Sequence, residues 1–150
     1  MILRIAALWA VLLAGSALAD DEAARARLMG SWRLADGGKD SPAWTFQEKG
    51  NTIRITNSNG GRVLVEFECD LYGHECAIKD SGRAATVSLW FVGPRLVEME
   101  TRGNSVVKRT FGVAADGDTM DLEVSQIAPS PKDETPQHFK RMTAAEAAGR

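Results

Sequence analysis

The chain is poor in the residues on which much protein chemistry depends. In 150 residues it has two cysteines, two histidines, one tyrosine and no marked excess of either charge. Two cysteines are too few for a disulfide-built scaffold. Eighteen Lys and Arg against 20 Asp and Glu leave a net charge of −2, so the clustered basic surface that nucleic acid requires is not indicated. There is no Gly-x-Ser-x-Gly elbow, no His-Glu-x-x-His helix and no phosphate-binding glycine loop, so no enzyme class is signalled and no cofactor is expected. What is present is ordinary: 44% hydrophobic and 25% charged residues, the composition of one globular domain.

The first nineteen residues, MILRIAALWAVLLAGSALA, read as an address. Arg4 opens the segment, Ile5 to Ala14 is wholly apolar, and Ala17-Leu18-Ala19 is a small-x-small cleavage site. The run is too short to span about 30 Å of hydrocarbon comfortably, so a stable membrane anchor is the poorer reading. Leu13-Ala14-Gly15-Ser16 resembles a lipoprotein box with Ser where the acylated Cys would stand, so no lipid tether is expected. The expectation is a signal peptide over 1–19 and a periplasmic or secreted domain over 20–150. Loss of Arg4 leaves 17 basic against 20 acidic side chains, net −3.

Export changes how Cys69 and Cys76 are read. Two cysteines this close form a disulfide by default in an oxidising compartment. Asp70, His74 and Glu75 lie between them and could join them around a metal, but the spacing fits no standard zinc pattern. Free or redox-active thiols are a third reading, without the C-x-x-C spacing that would support it.

The rest of the chain keeps a regular beat. Asp20–Met29 is a short helix by propensity, acids leading and bases following. Nine strand-length segments follow: Ser31–Ala35, Trp44–Glu48, Thr52–Asn57, Arg62–Cys69, Ala84–Val92, Leu96–Arg102, Ser105–Val113, Thr119–Ile127 and Gln137–Met142. Turn residues such as Gly103-Asn104 and Asp116-Gly117-Asp118 separate them. Val63, Val65, Phe67 and Cys69 alternate with Glu66 and Glu68, which means a sheet with one buried and one wet face. Short connections make it antiparallel. The expected fold is all-β, an up-and-down barrel of eight or nine strands, with a sandwich as competitor. A capping box at Thr143 starts a short C-terminal helix.

Gly30-Ser31-Trp32, set after a helix and at the start of the first strand, resembles the Gly-x-Trp signature of lipocalins. The resemblance implies that Trp32 closes the barrel floor beneath a basic residue from the last strand, where Lys140 and Arg141 stand. No second lipocalin motif is found. The middle of the chain, with Asp70-Leu71-Tyr72-Gly73, Val106–Phe111 and Asp116–Met120, is more similar to small lipocalin-like domains of exported bacterial proteins. That resemblance implies a barrel and no settled activity.

A barrel either packs solid or keeps a ligand cavity. Inward candidates are Ile53, Ile55, Val65, Phe67, Leu89, Phe91, Val97, Met99, Val107, Phe111, Leu122 and Val124. Of these, Phe67, Phe91, Phe111 and Met99 are the candidate ligand contacts. Arg109 shares a face with Val107 and Phe111 and could hold an anionic head group. Glu98 and Glu100 have the spacing that acid–base chemistry could use, yet on a strand such a pair is expected on a solvated face. Trp44 and Trp90 are expected to be exposed. The resulting expectation is non-catalytic binding of a small apolar or amphipathic ligand. The alternative is a periplasmic inhibitor or other protein-interaction module.

Overall fold

A computed structural model describes the backbone of residues 15–149 and the side chains from residue 22 onward. Of the expected export signal, residues 1–14 therefore lie outside the described residues, and for 15–19 only the backbone is described. The elements are α1 (Gly15–Leu28), β1 (Gly30–Leu34), β2 (Ala43–Lys49), β3 (Thr52–Asn59), β4 (Arg62–Asp70), β5 (Cys76–Asp80), β6 (Arg83–Val92), β7 (Arg95–Arg102), β8 (Ser105–Val113), β9 (Thr119–Ala128), β10 (Lys132–Asp133), β11 (Gln137–Arg141) and α2 (Ala144–Ala148). No helix among the described residues is long and apolar enough to cross a membrane.

The strands form one antiparallel sheet in the order β4-β3-β2-β1-β11-β9-β8-β7-β6-β5, with β10 on β9. The order follows the chain except where β11 returns between β1 and β9, which joins the two ends of the meander. The two edges left over, β4 and β5, face each other. They are held at one end by the Cys69–Cys76 disulfide and at the other by Ser81 N–H donating to the Leu64 carbonyl at 2.9 Å. The barrel is thus nearly closed, and its remaining seam is stapled rather than laddered. Among the three readings of the cysteines, the disulfide is the one found.

The meander has one full strand and one two-residue strand beyond the nine expected. β5 was hidden because only Ile78 of its five residues is buried, too little for a period-two pattern to show. α2 starts as its sequence requires: the Thr143 hydroxyl accepts from Glu146 N–H and the Glu146 carboxylate accepts from Thr143 N–H.

The interior is filled by Trp32, Phe46, Ile53, Ile55, Leu89, Leu96, Phe111, Met120, Leu122 and Phe139, each at most 2% exposed. Trp44, expected outside, is 7% exposed and packs edge-on against Phe111 with ring centroids 5.0 Å apart, while Phe46 meets the same ring at 5.1 Å. It points inward because it pairs with Trp32 across β1 and β2. Trp90, on the other face of β6, is half-buried.

The Gly-x-Trp segment has a physical reason. Trp32 is fully buried, donates its indole N–H to the Leu28 carbonyl at 2.9 Å, and lies under the Arg141 guanidinium at 4.2 Å from the ring. Arg141 also donates to the carbonyls of Met29, Arg27 and Gly117, tying α1, the β8–β9 turn and β11 together. Gly30 has φ +120°, and a Cβ there would come within 2.8 Å of an Arg141 nitrogen, so only glycine fits.

Candidate ligand site

Two features inside this frame could carry chemistry, one at each half of the barrel. The first lies where α1 covers the end of the sheet. A half-open cavity of about 640 Å³ lies between α1, the β2–β3 turn, the disulfide loop and the end of β6. That is within the range of roughly 300–1,000 Å³ usual for small-molecule sites. Its apolar walls are Met29, Ile53, Leu71, Tyr72, Trp90 and Phe91.

Each wall is fixed locally. Leu71 and Tyr72 sit in the loop closed by the disulfide, and Tyr72 N–H donates to the Asp70 carboxylate at 2.8 Å while Gly73 N–H donates to the Leu89 carbonyl at 2.9 Å. Tyr72 also bridges to Trp90. The Tyr72 N–H and the ring of His74, 2.8 Å away, hold the Asp70 carboxyl below its ordinary value. From α1, Arg25 donates to the Gly93 carbonyl at 3.1 Å and lays its guanidinium over Phe91 at 4.7 Å. The remaining polar lining includes Glu22 of α1 and Glu48 at the end of β2.

The second feature is a chain of charges in the other half of the barrel. Arg109 donates to Glu98 at 2.6 Å and to Glu100 at 3.0 Å; Arg102 donates to Glu100 at 2.7 Å and also to Asp80. Glu98 is 2% and Glu100 6% exposed, so the pair expected on a solvated face is buried. The register gives the reason. Leu96 pairs with Phe111, Glu98 with Arg109 and with Leu89, and Glu100 with Val107 and Val87, so the face that carries the acids is the inner one. Burial pushes the Glu98 carboxyl up, only partly opposed by Arg109. For Arg109, burial alone would lower the value, but Glu98 and Glu100 outweigh it and hold the guanidinium charged. One Glu98 oxygen and the Arg102 Nε find no hydrogen-bond partner among the described residues.

The residues singled out from sequence are therefore dispersed. Phe91 lines the α1 cavity. Phe67 and Phe111 belong to the packed core. Arg109 faces inward as expected, yet two carboxylates already neutralise it. Met99 and Val97 alternate with Glu98 and Glu100 and so take the opposite face of β7, contrary to the inward expectation, although Val97, paired with Trp90 and Thr110, is still buried at 3% exposure. Choosing a strand's inner face by hydrophobicity failed here because the more apolar face of β7 is the outer one. The signal that could have corrected it is the pairing of two acids on one strand with an Arg between Val107 and Phe111 on the next. The α1 residues Glu22, Arg25 and Met29 carry no motif, and only the packing of the helix makes them part of a site.

No family model matches the chain, and no curated protein sequence matches it. Solved structures do. A Schistosoma mansoni fatty acid binding protein in complex with arachidonic acid superposes with a TM-score of 0.63 at 16% identity, over 80% of this chain and 99% of that one. A secretory abundant heat soluble protein from Ramazzottius varieornatus gives 0.63 at 14% identity, over 77% and 96%. Echinococcus granulosus fatty-acid-binding protein 1 gives 0.58 at 9% identity, over 79% and 99%. At such identities the likeness is one of fold: an antiparallel barrel of the lipocalin and fatty-acid-binding type, as the Gly-x-Trp resemblance implied.

Proposed function

We propose that the protein is an exported, non-catalytic carrier that binds a small amphipathic molecule in the cavity beneath α1. The observation that carries this reading is the cavity itself: about 640 Å³ with six apolar side chains in its wall, in a barrel whose remaining interior is packed. Burying roughly six methylenes there would contribute about 5 kcal/mol before the cost of association. Solved barrels of this fold with fatty-acid-binding names support the reading without supplying the ligand. The disulfide fits an oxidising compartment, and every α1 residue in the cavity wall lies after the expected cleavage point at Ala19, so processing leaves the site whole.

The test is uptake of an uncharged apolar dye such as Nile red. Ala26 is exposed on α1 and faces the cavity, so Ala26→Trp should block uptake without touching the core. Ala77→Trp, exposed on β5, is the control. Dye binding that survives Ala26→Trp, or that the natural chain never shows, overturns the proposal.

A further inference from the structure

The charges around the cavity say what kind of head group it should take. Arg25, Glu22 and Glu48 contribute to its lining, one cation against two acids. Among the described residues, neither Glu22 nor Glu48 has an ion-pair or hydrogen-bond partner for its carboxylate, and both are exposed at the cavity rim. Arg25 uses its Nε on the Gly93 carbonyl and stacks on Phe91, so it stays a cation in the wall, one positive charge against the two carboxylates.

The aromatic walls point the same way. Tyr72 and Trp90 line a cavity that also has unpaired carboxylates at its rim, the pairing of features that attracts an ammonium group. Phe91 is already covered by Arg25, which leaves Tyr72 and Trp90 as the rings for a further cation.

Deeper in the barrel, among the described residues, no unpaired cation waits for an anionic head. Arg109 lies between Glu98 and Glu100, Arg102 lies between Glu100 and Asp80, and one buried Glu98 oxygen has no partner. Three acids against two arginines make that cluster negative or, with Glu98 protonated, neutral. Arg141 is occupied by three carbonyls and the Trp32 ring.

We infer that the cavity beneath α1 selects a cationic amphiphile, an alkyl chain ending in an amine or quaternary ammonium group, over a fatty acid carboxylate. The inference rests on the cavity being the ligand site. It assigns the alkyl chain to Met29, Ile53, Leu71 and Phe91, and the head to the rim between Glu22, Glu48, Tyr72 and Trp90.

Calorimetric titration with matched chains, dodecyltrimethylammonium against dodecanoate below their micelle concentrations, separates the possibilities. The ammonium should bind at least about tenfold more tightly, a preference that shrinks as salt rises. Glu48→Gln and Glu22→Gln, both at exposed positions, should each weaken the ammonium several-fold and leave dodecanol-like neutral chains unchanged; circular dichroism checks that both variants fold. Dodecanoate binding as tightly as the ammonium, or losing its affinity on Arg25→Gln, overturns the head-group inference while the cavity stands. If no twelve-carbon chain of either charge binds, the carrier reading itself falls.

Discussion

Replacing Arg109 with Met tests the buried charge chain directly. The guanidinium donates to Glu98 at 2.6 Å and Glu100 at 3.0 Å, and its side chain is 21% exposed against 2% and 7% for the two acids. After Arg109→Met, Glu100 keeps Arg102 at 2.7 Å, but Glu98 keeps no partner among the described residues, since its second oxygen already lacks one. Removing one member of a buried pair costs about 3–5 kcal/mol because the other charge is left in a low-dielectric interior. Against a total stability of roughly 5–15 kcal/mol that is a large fraction, a fall in Tm on the order of 10–20 °C for a chain this long. Urea unfolding followed by tryptophan fluorescence should show it at about pH 7, with a smaller loss as the pH falls and Glu98, held above its ordinary value, takes up a proton. Adding Glu98→Gln to the same chain removes the stranded charge and should recover at least about half the loss. A loss below about 1 kcal/mol for Arg109→Met, or no recovery in the double variant, refutes the claim that these charges depend on one another. The same variant should leave Nile red uptake intact, because Arg109 is not in the cavity wall.

Three further outcomes follow from the same geometry. Glu98→Gln alone should make stability less dependent on pH: a carboxyl held above its ordinary value stabilises most fully in acid and loses that contribution as pH rises through its folded value, so the variant gains relative to the natural chain on the alkaline side. Trp32→Ala should cost about 3–5 kcal/mol in thermal unfolding, as a fully buried indole with a hydrogen bond and a cation above it is removed; a cost near zero would mean that the floor is not structural. Reducing the Cys69–Cys76 bridge should lower stability by about 2.5 kcal/mol, the chain-entropy value for a loop of about eight residues. Hydrogen exchange should then quicken along the β4–β5 seam before the rest of the sheet, and uniform exchange would contradict the stapled-seam description.

Much of this barrel was legible because alternation is a local property. Val63, Val65, Phe67 and Cys69 on one face and Glu66 and Glu68 on the other describe β4 without any knowledge of its partners, although Val63, at the strand's end, is 54% exposed. The capping box at Thr143 and the glycine before Trp32 are local in the same sense: each satisfies or permits a particular backbone group. β5 escaped because five residues with one buried side chain contain too little pattern.

By itself, then, the sequence determined an antiparallel meander, its turns and its disulfide, since period, spacing and capping act between near neighbours; the floor at Trp32 came from the Gly-x-Trp resemblance, and the structure chose Arg141 over Lys140 to cover it. Only the tertiary structure decided which face of β7 turns inward. That choice depends on the register with β6 and β8, where Leu96 meets Phe111 and where Leu89 and Arg109 meet Glu98. It also decided that a helix with no motif forms a cavity wall, because Arg25 finds Gly93 and Phe91 across 68 and 66 residues of chain, contacts that no local pattern encodes.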